Sequence, residues 1–115
     1  MRKEGKYDVF INSLKNKTNE ILGENANEKD IDKYKEYLSL VIENELKQES
    51  VEYFDGSQIN EKLARIMRFL ISENYSEIVY EINDLFNYIM YNKCENKVPI
   101  NLILINLYLT LEKGL

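Results

Sequence analysis

The sequence predicts an all-α fold, a single domain over residues 1–115 built as a bundle of about five helices, with the C-terminal helix the most buried. Three observations predict it. Apolar residues recur at three- and four-residue spacing in five separate stretches. The four glycines and the single proline fall at the joints between those stretches. A chain of 115 residues is long enough to close one hydrophobic core without disulfide or metal staples.

The first helix runs from about Lys6 to Leu22, with Tyr7, Phe10, Leu14 and Ile21 on its apolar stripe and Gly23 as its stop. Asn27 caps the second, with Asp30 three residues on, and Glu28 and Asp32 beside the positive end of the helix dipole. Ile31, Tyr34, Leu38, Val41, Ile42 and Leu46 carry its stripe to about Gln48, while Leu40 points elsewhere and implies cover on a second side. Residues 49–57 break the pattern at the Asp55-Gly56 turn. Val51, Tyr53 and Phe54 tuck toward the core and make a poor strand.

Ser57 caps the third helix, whose face carries Ile59, Leu63, Ile66, Met67 and Leu70. Asn74 and Glu77 have capping-box spacing and introduce the fourth, with Ile78, Val79, Ile82, Leu85, Phe86 and Ile89, fading near Asn92. After a polar connection over 93–97, Pro99 suits a first helical position. Ile100, Ile103, Leu104, Leu107, Tyr108 and Leu111 follow on a broad apolar face, with Lys113 and Gly114 at the exit. The alternation over 100–105 could also suit a strand, but a lone strand lacks a partner, so helix is expected.

The chain has no histidine and one cysteine, Cys94. Most general bases near neutral pH, most zinc sites and most nucleophile–base pairs use those two residue types. Their scarcity argues against an enzyme and against a metal or other cofactor. A calcium loop centred on Gly56 fails, because Val51, Tyr53 and Lys62 would occupy ligand positions. Neighbouring carboxylates (Asp30/Asp32, Glu43/Glu45, Glu49/Glu52) read as solvated helix surface, not as an acid–base pair across a cleft. Cys94 lies near Lys93 and Lys97 but has no activating base, so it reads as an ordinary thiol.

Net charge is −5, with −5 over residues 43–61, +3 over 62–68 and −4 over 69–92. That balance disfavours direct nucleic-acid or anionic-membrane binding and favours a basic protein partner. A lone cysteine suits a reducing compartment, the basic amino terminus lacks the apolar run of a secretory signal, and residues 98–111 are too short and polar to span a bilayer. A cytoplasmic protein is expected. Richness in Asn, Ile and Tyr fits an AT-rich bacterial or mobile-element gene.

At 100° per residue, the side of the fourth helix opposite its apolar face carries Tyr80, Asp84, Asn87 and Tyr91, flanked by Glu77, Glu81 and Tyr88. Tyrosine brings large contact area and a hydroxyl at low entropic cost, and carboxylates steer a cationic partner. These seven residues are the candidate partner-binding set. The competing expectation packs the tyrosines inside and pairs Lys62, Arg65 and Arg68 with Glu73, Glu77 or Glu81 as surface ion pairs. By general character, with no shared motif, the chain fits a non-enzymatic inhibitor of the immunity-protein or antitoxin type that neutralises a basic, nuclease-like toxin domain. Two alternatives are a phage-type acidic inhibitor of a host defence nuclease, and a small regulatory protein that self-associates through the tyrosine face.

Overall fold

The computed structural model describes residues 6–46, 53–55, 58–91 and 97–114. Five helices run in order: α1 Lys6–Ile21, α2 Glu28–Leu46, α3 Ile59–Ile71, α4 Tyr75–Tyr91 and α5 Ile100–Gly114. Two three-residue strands, β1 Tyr53–Asp55 and β2 Lys97–Pro99, precede α3 and α5. They pair antiparallel, with Phe54 opposite Val98. Residues 53–54, expected to make a poor strand, thus find a partner in the segment leading to Pro99. Proline is tolerated there because it ends the strand and hands the chain to α5.

The caps fulfil the sequence expectations unevenly. At α2, the Asp30 amide donates to Asn27 Oδ1 at 3.2 Å and the Asn27 amide donates to Asp30 Oδ2 at 3.0 Å, a reciprocal box. At α4, Asn74 Oδ1 instead accepts the Ser76 hydroxyl, and Glu77 N–H bonds the Asn74 carbonyl. Gln58 occupies the cap position of α3 with no side-chain cap bond; Ser57, like Cys94, lies outside the described residues. Gly23 adopts no positive φ, and the left-handed position falls on Glu73 (φ 60°). There Asn74 N–H reaches the Phe69 carbonyl (2.8 Å) and Glu73 N–H the Leu70 carbonyl (3.0 Å), a Schellman exit for α3 with a carboxylate where glycine is preferred.

Each helix has two principal helix neighbours, in the cyclic order α1–α2–α5–α3–α4 and back to α1. The apolar stripes point inward to one contiguous core that includes Ile11, Leu14, Tyr34, Leu38, Ile66, Ile82, Phe86, Ile103 and Leu107. The C-terminal helix is therefore a ring member and not a central rod. It buries Ile103, Leu104, Leu107 and Leu111, α4 buries as broad a face, and Leu102 and Leu109 on the outside of α5 are exposed. The broad apolar face of α5 turns into the ring, and its outer side is left uncovered. Leu40 is likewise exposed, so α2 has no second cover at that position.

Inside the core, one polar contact joins α1 to α2. Thr18 and Tyr34 are fully buried, with their hydroxyls 2.6 Å apart. Thr18 donates its single hydroxyl proton to the Leu14 carbonyl at 2.7 Å. Tyr34 must therefore be the donor in the pair. Burial pushes the Tyr34 phenol far above its ordinary pKa.

Candidate functional site

Helix α4 lies between α1 and α3, and its outer face is what those two neighbours leave uncovered. On the α3 side, Lys62 Nζ meets Asp84 Oδ2 at 2.7 Å and Arg65 meets Glu81 at 3.4 Å. Lys62 also lies 5.1 Å from the centre of the Tyr88 ring. On the α1 side, Lys15 Nζ donates to Asn87 Oδ1, and Asn83 Nδ2 donates to Asn19 Oδ1 at 2.8 Å. The numbering falls along α4 as it rises along each neighbour, so α4 runs antiparallel to both.

These two ladders divide the seven candidate residues. Glu81, Asp84, Asn87 and Tyr88 are engaged by α1 or α3, and Glu81, Asn87 and Tyr88 are half-buried. Tyr80 and Tyr91 face outward with 54% and 74% of their surface exposed, and Glu77 is exposed with them. The Tyr80 hydroxyl reaches Glu24 in the α1–α2 turn at 3.4 Å. The outward stripe thus has tyrosines at both ends, but it is not uniformly acidic. The carboxylates of its middle are already matched by cations from α3, as the ion-pair expectation had it for Glu81.

Unmatched negative charge collects instead at the N-terminal end of α4. Glu24, Glu73 and Glu77 have no cationic partner among the described residues. Half-buried Tyr75 sits among further carboxylates, and its phenol is raised above the ordinary value by burial and by the nearby charges of Glu28, Glu73 and Asp32. Glu24, Glu28 and Glu73 join the site from elements the wheel of α4 could not place. The signal that could have found Glu73 was its position in the short turn before α4.

A second exposed feature escaped the sequence reading. An apolar hollow between α2 and α5 is lined by Ser39, Ile42, Ile105, Tyr108 and Leu109. Leu102, Ile105 and Leu109 recur at helical spacing on the side of α5 away from the core, which the sequence already displayed. Among the described residues, no group of three or more His, Cys, Asp and Glu side chains could hold a metal ion, and no helix is long and apolar enough to cross a membrane. No family model, curated protein or solved structure matches this chain.

Proposed function

We propose that this chain is a non-enzymatic binding protein of the immunity-protein or antitoxin type, acting in the cytoplasm to neutralise a basic partner domain such as a nuclease. The observation that carries the reading is the outward placement of Tyr80 beside the unmatched carboxylates Glu24, Glu73 and Glu77, with Tyr91 exposed further along the same helix. Aromatic anchors flanked by negative charge suit a partner whose own surface is cationic. A nuclease fits because its cleft must attract phosphate, and an acidic, tyrosine-bearing ridge can occupy such a cleft.

The test is affinity capture at low salt with the wild-type chain and with Tyr80→Ala and Glu77→Lys in parallel. The reading expects a basic protein to be retained by wild type, released by moderate salt, and lost from both variants. Retention that is indifferent to salt and to both substitutions overturns it.

A further inference from the structure

We infer that the other end of the same face, where Lys15 crosses from α1 onto α4, takes a carboxylate from the partner. The inference rests on the binding role just proposed and adds an anion to what the partner must carry. Four basic side chains among the described residues are half-buried: Lys15, Lys17, Lys35 and Lys62. Lys17 has Glu20, Lys35 has Asp32 and Lys62 has Asp84. Lys15 alone meets only a neutral group, the amide oxygen of Asn87. A cation drawn partly out of water is stabilised by a counter-charge, and this one has none among the described residues.

The surroundings of Lys15 are those of an anion subsite. An ammonium group has no acceptor, so its contact fixes the Asn87 oxygen toward Lys15 and leaves the amide N–H₂ as a donor. One turn further along α4 stands the exposed hydroxyl of Tyr91. The charged groups nearest in register do not compete. Asp84 is held by Lys62 on the α3 side, and buried Asp8, two turns back along α1, has a partner of its own. The next rung is the neutral Asn19–Asn83 pair. Asn87 lies two helical turns, about 10 Å, from Tyr80. The partner's contact segment therefore carries a cation and a carboxylate about that far apart, which also fixes its direction along α4.

Two matched probes test this by amide chemical-shift mapping of the full chain at constant ionic strength: n-butylammonium for the lysine end group and butyrate for the carboxylate. Butyrate is expected to shift resonances of Lys15, Asn87 and Tyr91, including the Asn87 side-chain amide, while n-butylammonium shifts those of Glu24, Glu77 and Tyr80. Lys15→Gln should weaken the butyrate response at least tenfold and leave the ammonium response unchanged. Asn87→Asp, which supplies the counter-charge internally, should do the same while keeping the Lys15 contact, and it serves if Lys15→Gln folds poorly. Butyrate shifts that are absent, or that survive both substitutions, overturn the inference; an intact ammonium response at Tyr80 would then leave the binding role standing. Silence from both probes removes both.

Discussion

The buried Thr18–Tyr34 pair makes a sharp thermodynamic prediction because its proton direction is fixed. Thr18 gives its proton to Leu14 and Tyr34 gives its proton to Thr18, so the two truncations are not equivalent. Tyr34→Phe removes one neutral hydrogen bond and leaves Thr18 still donating; it should cost about 1 kcal/mol. Thr18→Val keeps shape but strands the Tyr34 hydroxyl in a fully buried site with no acceptor, which should cost about 2–3 kcal/mol. The Leu14 carbonyl loses little, since it retains its place in the α1 backbone ladder. The double variant, with two apolar groups of similar shape, should be more stable than Thr18→Val alone by about 1 kcal/mol or more. Urea unfolding followed by far-ultraviolet circular dichroism, with an unchanged dependence on denaturant, reads all four corners of the cycle. Thr18→Val costing no more than Tyr34→Phe, or strict additivity in the double variant, would refute the assigned proton direction. The pair also sets an alkaline limit. Because the folded pKa of Tyr34 is raised, the folded state holds a proton that the unfolded state releases above about pH 10. That stability is fully present below pH 10 and falls as pH rises further, and Tyr34→Phe should flatten the decline.

Tyr80→Ala and Tyr91→Ala should each shift stability by no more than about 0.5 kcal/mol, against about 3–5 kcal/mol for Phe86→Ala on the inner side of the same helix; melts that fall as far for the tyrosines would place their rings in the core. Glu73→Gly should stabilise the chain by about 0.5–1 kcal/mol in urea unfolding by relieving the left-handed position, whereas Glu73→Ala should not. Charge reversal at Glu77 should slow association with a basic partner more than reversal at Glu81 or Asp84, whose charges Arg65 and Lys62 already offset; equal effects in stopped-flow kinetics would show the ladder to be open in solution.

What the sequence disclosed and what it hid divide along the range of the interactions. The helices were legible because three- and four-residue spacing is a local signal, and the outward direction of Tyr80 and Tyr91 follows from the same 100° step. The α3–α4 ladder was legible in principle. The turn from Ser72 to Asn74 folds the chain back on itself, so Lys62, ten residues before Ser72, meets Asp84, ten after Asn74. Arg65 meets Glu81 by the same count, seven on either side. The α1–α4 ladder had no such marker, because two helices intervene between Lys15 and Asn87 and no turn fixes their register. The strand pair was hidden for the same reason, being three residues matched across the whole of α3 and α4. The neighbours of α5 were not legible, because amphipathicity tells which side of a helix is buried and not which helices cover it.

The ladders also bear on how α4 could act. A binding face loses affinity when its own side chains must be ordered on contact, at about 0.5–1.5 kcal/mol for each long side chain. Along α4, the groups between the two exposed tyrosines are already held, Asp84 by Lys62, Asn87 by Lys15 and Glu81 by Arg65. Tyrosine itself has little freedom to lose. Partly exposed ion pairs such as Lys62–Asp84 and Arg65–Glu81 contribute only about 1 kcal/mol each to folding, so stability is a weak reason for them to line the α3 side of this helix. On the proposed reading they prepare the ridge in advance, and a partner meeting Tyr80 and Tyr91 finds the surface between them already set.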